Sequence, residues 1–202
     1  MGQLKLRWML PTIALLVTAL FVFSSWIQDA AHISAQDSIF QLDAKDVLAI
    51  IARPLSDTTT NGFYLPNVDL HNANLVGVDF SSALLSYSDL SGAFLLNADL
   101  SGASLQAVNL ARAELTNANL SNAWLLASNL EEATIVYAML NNVNLEDANL
   151  TGADLTSSSL AGANLTNAII TNTSFANVIM EGVTLPNGQL YEEGDDLVTQ
   201  FG

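Results

Sequence analysis

The sequence predicts an all-β fold: a right-handed quadrilateral β-helix of about six coils, each made of four pentapeptides. Three observations predict it. Every fifth residue from Leu65 to Leu190 is large and apolar, in unbroken phase, and is Leu except at Phe80, Ile135, Ile170, Phe175 and Met180. The residue two places earlier is small, as at Ala73, Ala83, Ala93 and Ala103, with Phe63 at the entrance as the exception. The residue between them is often Asp or Asn, as at Asp69, Asn74, Asp79, Asp89 and Asp99.

The period selects the fold. A helix needs apolar residues at spacings of three and four, and a strand needs two. Five fits a chain that makes one short extended step and then one corner. Four such steps close a square coil of 20 residues, with the large residue pointing inward and the small one filling the space beside it. Stacked coils satisfy one another's backbone groups at a spacing of about 4.8 Å, which makes the rod on the order of 30 Å long. Each inward Leu contributes roughly 1.5–3 kcal/mol of burial. Because each coil stacks only on its neighbours, stability accumulates along the rod. That is how a chain with only 7% aromatic residues builds a core.

The stretches ADLSGASL, ANLSNAWL, ANLTGADL and AGANLTNA resemble the pentapeptide repeat family, whose consensus is A(D/N)LXX. The resemblance implies the right-handed β-helix. It implies little about activity: a few members mimic DNA and inhibit DNA gyrase, and most have no assigned activity. The family's abundance in cyanobacteria implies a thylakoid-lumen or periplasmic address.

Around this rod the sequence divides into four parts. Residues 1–36 hold a cytoplasmic stub and an apolar run, 37–62 a capping segment, 63–190 the repeat, and 191–202 an acidic cap or tail. Lys5 and Arg7 precede an uncharged stretch from Trp8 to Gln28, within which residues 9–27 are mostly apolar. A bilayer core takes about 20 such residues, whereas the apolar part of a signal peptide is about 7 to 15. The length predicts a retained single-pass anchor; the alternative is a signal cleaved near Ala35, releasing a secreted scaffold. In both cases the positive residues hold the N-terminus in the cytoplasm and send the rod across the membrane. N-myristoylation is excluded by Leu6, where the motif needs Ser or Thr.

Residues 37–53 read as a short amphipathic helix with Leu42, Val47, Leu48, Ile50 and Ile51 as its apolar residues. Asp43 is its N-cap candidate, and Pro54 stops it. Its expected role is to cover the open end of the rod, which otherwise exposes raw backbone and core. Residues 56–62, SDTTTNG, are a loop by composition.

Composition narrows the function classes. Five basic residues stand against 20 acidic ones, for a net charge of −15. Nucleic acid is excluded as a partner, since phosphate contacts need Lys and Arg. With no cysteine there is no disulfide framework and no thiolate metal site. The two histidines, His32 and His71, have no further ligand at metal spacing. The many Ser and Thr lack a base, and no glycine-rich phosphate loop is present. The Asn-Leu-Ser/Thr sequons at Asn119, Asn149 and Asn164 are by-products of the repeat. No catalytic residue, cofactor or metal is expected, and the protein is read as a non-enzyme.

What remains is the outside of the rod, where residues 20 apart share a face. Asp69, Asp89, Asn109, Asn129 and Asn149 fall on one face, and Asp79, Asp99 and Asn119 on the opposite one. Such side chains are expected to bond to nearby backbone at the corners; a cation between stacked Asp pairs is the alternative. A third face carries Tyr64, Leu84 and Trp124, interrupted by Ser104, with Leu126 following and Tyr87 at its corner. The last carries Phe94, Leu96, Val76, Val136 and Tyr137. Clustered apolar residues at solvent positions mark a contact surface. Tyr64, Leu84, Tyr87, Trp124 and Leu126 are therefore the candidate interaction face. The function expected is a membrane-tethered structural or protein-interaction module, with an unidentified protein, a membrane complex or a second copy as partner. The competing reading is a DNA-mimicking topoisomerase inhibitor, which explains the acidity but not the export segment.

Overall fold

A computed structural model describes residues 63–194 of the chain. The expected anchor or signal at 9–27 and the capping helix within 37–62 lie outside the described residues. Among the described residues no helix is long and apolar enough to cross a membrane.

The described chain is a four-sided parallel β-helix. Each pentad contributes one residue to a ladder, and that residue bridges the one 20 positions later, as in Tyr64 to Leu84, Leu84 to Ser104 and Ser104 to Trp124. Four ladders run along the rod, headed by Tyr64, Asp69, Asn74 and Asp79; we call their sides faces 1 to 4 in that order. The extended step is so short that no side forms a continuous strand, only stacked single bridges.

Local chemistry makes the corners. After each inward residue the chain turns, and the second residue of the turn has positive φ, as at Asn72 (φ 55°) and Gly92 (φ 64°). Asn and Gly recur there because they tolerate the left-handed region at least cost. In most turns the amide of the following small residue donates back to the inward residue's carbonyl, as from Ala73 to Leu70 at 3.0 Å. The inward residues are almost all fully buried, from Leu70 at 0% exposure to Leu165 at 0%. At the entrance Phe63 sets its ring edge against Phe80, with centroids 6.3 Å apart. This larger residue occupies the small-residue position where the stack begins.

The repeat ends one step earlier than its phase predicts. Leu185 is the last inward residue, at 2% exposure, whereas Leu190 is 65% exposed and bridges Thr184 in antiparallel fashion. The cause is the Pro186-Asn187-Gly188 turn. Its positive φ falls on Gly188 (80°), one place later than at the other corners, and the Leu185 amide then meets the Gln189 carbonyl at 2.7 Å. The chain doubles back as a hairpin, and Tyr191 packs against the core.

Candidate interaction face

The Asp and Asn residues on faces 2 and 4 do what corner chemistry requires. Each Oδ1 accepts the amide two residues on: Ser81 to Asp79 at 3.0 Å, Ser91 to Asp89 at 2.9 Å, Ser101 to Asp99 at 2.9 Å. On face 2 the amide side chains also form a ladder between coils. Asn149 donates to Asn129 at 3.3 Å, Asn129 to Asn109 at 3.2 Å, and Asn109 to Asp89 at 3.0 Å. Asn119 donates likewise to Asp99 on face 4, at 3.2 Å. The carboxylates of these two columns stop after the second coil. Among the described residues no three His, Asp or Glu side chains converge as metal ligands.

The titratable groups that depart from ordinary behaviour are structural. The His71 ring bonds to the Asp69 carboxylate, which raises the imidazole pKa and lowers that of the carboxyl. The hydroxyl and amide of Thr156 lower the pKa of Asp154, and the serine at position 81 does the same for Asp79. Arg112 pairs with Glu132 directly below it at 2.7 Å, on the exposed surface.

Face 1 is chemically different. Tyr64 and Leu84 are 43% and 42% exposed, and Trp124 is 61% exposed. Tyr87, at 60%, stands at the corner that leads off this face, and Leu126, half-buried, holds the same corner two coils on. Ser104 separates the two apolar bands and bonds to Ser86 through their hydroxyls at 3.0 Å. A low polar strip therefore lies between the Leu84–Tyr87 band and the Trp124–Leu126 band. Tyr87 also occupies a left-handed corner (φ 64°), as does Tyr137 (φ 58°) on the corner between faces 3 and 4. A bulky side chain is costly there, and such departures concentrate at functional positions.

All five candidate residues lie where their spacing places them, on one face and its corner. Sequence reasoning passed over Met139, Ile169 and Ile179, which are 47%, 52% and 56% exposed on faces 4, 2 and 4. The same 20-residue spacing would have found them: they interrupt columns otherwise made of Asp, Asn and Ser.

A rod of stacked coils, regular inside and more varied at its outward positions, defines a solenoid repeat protein. The chain belongs to the pentapeptide repeat family: the model for pentapeptide repeats matches in eight copies, over overlapping segments from residue 55 to residue 185. The right-handed β-helix is the fold of that family. Similar solved structures include a pentapeptide repeat protein from the Arabidopsis thaliana thylakoid lumen, 31% identical, covering 54% of this chain and 75% of that one, with a TM-score of 0.49. A pentapeptide repeat protein from Nostoc PCC 7120 is 35% identical over 46% of this chain and 66% of its own, with a TM-score of 0.31. One from the cyanobacterium Cyanothece 51142 is 24% identical over 65% and 86%, with a TM-score of 0.34. No curated protein matches the chain.

Proposed function

We propose that this protein is a non-enzymatic interaction module that docks a protein partner on face 1 of a rigid acidic rod. The observation that carries this reading is the exposed column of Tyr64, Leu84 and Trp124, flanked by Tyr87 and Leu126, on a rod whose opposing faces 2 and 4 begin with Asp and Asn. Aromatic residues of this kind supply most of the energy at protein interfaces. Protein docking fits better than DNA mimicry, because the carboxylates of faces 2 and 4 give way to neutral Asn instead of forming stripes. Trp124→Asp tests the reading. It should leave the fold intact and abolish co-purification with the partner from solubilised membranes. Undiminished co-purification of the variant would overturn it.

The rod is further proposed to be tethered by residues 9–27, with the repeats on the non-cytoplasmic side. The length of the apolar run and the placement of Lys5 and Arg7 before it support this. Retention in the membrane pellet after alkaline carbonate is expected, together with protease resistance of the rod in intact cells or vesicles. A soluble cytosolic protein would sink the tether.

A further inference from the structure

Face 4 changes character along the rod. Its column begins Asp79, Asp99, Asn119 and continues Met139, Ser159, Ile179. In the first three the side-chain oxygen accepts the amide two residues on, from Ser81, Ser101 and Ser121. Met139 and Ile179 have no acceptor to offer. They give up that local bond and place apolar side chains, 47% and 56% exposed, in solvent. Tyr137 joins them from the neighbouring corner, where it is 64% exposed at a left-handed φ. The charge around these residues is just as uneven. Below Asn119, neither face 4 nor the two corners beside it carries a charged residue until Glu181. Over the same coils the acids lie elsewhere around the rod, at Glu131, Glu132, Glu146, Asp147 and Asp154.

That distribution selects the occupant. A partner of opposite charge would be drawn to the acidic sides of a chain with a net charge of −15. A second copy of the same chain is repelled by those sides and can approach on the neutral, apolar flank. Charge also selects the orientation. Two rods packed in parallel through face 4 would set Asp79 on Asp79 and Asp99 on Asp99, which is unfavourable. Antiparallel rods avoid this. The column is self-complementary about Ser159, with Met139 one coil above and Ile179 one coil below. Asp99 and Asp79 then stand three and four coils above the centre, past the end of the partner's core at Leu185.

We propose that two copies of this chain pack side by side and antiparallel through face 4, about a two-fold axis that runs across the face at Ser159. Such an interface pairs each residue with its counterpart twice. Met139 of one protomer meets Ile179 of its partner, and Glu181 falls opposite the uncharged Asn141. The short side chain of Ser159 lets the two faces approach at the centre. Face 1 stays open on both protomers, so this contact is independent of the role given to that face.

Sedimentation of the full chain in detergent micelles over a range of concentrations tests it. Asp already holds this column position in the first two coils, so a Met139→Asp/Ile179→Asp double variant is compatible with the fold. Its self-association should be on the order of tenfold weaker than that of the unaltered chain. Ile169→Asp, the same change on face 2 of the last coil, should dimerise normally. The orientation is read from one spin label at Ser82→Cys, in a chain with no other cysteine. At the coil spacing, antiparallel rods place the two labels roughly 40 Å apart and parallel rods roughly 20 Å. If the double variant does not fold, the label distance decides. A monomer at every concentration, a dimer that the double variant leaves unchanged, or the shorter distance would overturn the proposal.

Discussion

The Ser88 hydroxyl donates to the Leu65 carbonyl at 2.9 Å and accepts the Val68 amide at 3.1 Å. Leu65 and Val68 bound the first corner of the rod, and at most corners the equivalent carbonyl and amide bond to each other. Here a buried side chain from the coil below takes both. Ser158 does the same for Ile135 and Ala138, at the corner that carries Tyr137. Ser128 stands in the same column as Ser88, yet the turn above it keeps its own bond, from Val108 to Leu105 at 3.2 Å. Its hydroxyl is buried without a partner.

These two serines should respond oppositely to the same substitution. Ser88→Ala leaves a buried amide and carbonyl unsatisfied and should cost about 1–3 kcal/mol. Ser128→Ala removes an unpaired buried hydroxyl from a site that otherwise takes Ala or Val, and should be neutral or stabilising. Thermal unfolding followed by circular dichroism distinguishes them; equal losses in the two variants would contradict the assignment.

The Asn ladder makes a prediction about charge. Asn109→Asp removes the amide donor that reaches Asp89 from below and stacks another carboxylate in the column. The expected cost at neutral pH is about 1–2 kcal/mol. Like charges repel only while both are ionised, so the cost should shrink in acid and be largest at neutral pH. A stability difference from wild type that does not change between pH 3 and pH 7 would rule this out.

His71 and Asp69 give the first coil a separate pH signature. The imidazole pKa is raised from 6.5 by the carboxylate beside it. Its contribution to folding is therefore fully present below 6.5 and is lost as pH climbs through the raised folded value. Asp69 behaves in the opposite sense: its contribution is present above 3.8 and fades as pH falls through the lowered value. An NMR titration of His71 should show the raised midpoint, and Asp69→Asn should return it towards the ordinary value. The interaction lies on the exposed surface, so the signature is spectroscopic and not a large change in stability.

Tyr87 and Tyr137 test whether corner strain serves binding. Asn at either position should stabilise the rod by about 0.5–1 kcal/mol, because it sits in the left-handed region at lower cost. Only Tyr87→Asn should also weaken association, since Tyr137 is away from face 1. If both variants bind normally, Tyr87 is not part of the interface.

The core was legible because its period is strict. Five is incompatible with helix and strand alike, so the inward column, the small column and the four faces follow from counting. The termination was not, because Leu190 keeps the phase that the backbone abandons. The readable signal was the sequence Pro186-Asn187-Gly188, where glycine stands one place after the usual corner. The candidate face is legible from stacking residues 20 apart, whereas Ile169 and Ile179 are masked by the Asp and Asn that head their columns. The role of Ser88 had no sequence signature: Ser128 occupies the same column and bonds differently. What separates them is the geometry of the corner above, which depends on how the coils stack.

The ladder spacing of 20 residues also governs how such a chain tolerates insertions and deletions. Losing 20 residues removes one storey and leaves every column in line. Losing five upstream of Trp124 is equally kind to the core, since Leu still follows Leu into the interior. It turns everything downstream by a quarter of a revolution, however, and carries Trp124 out of the Leu84 column into that of Asp79 and Asp99. Two deletions that a folding assay would score alike would then differ completely in what the rod presents to its surroundings.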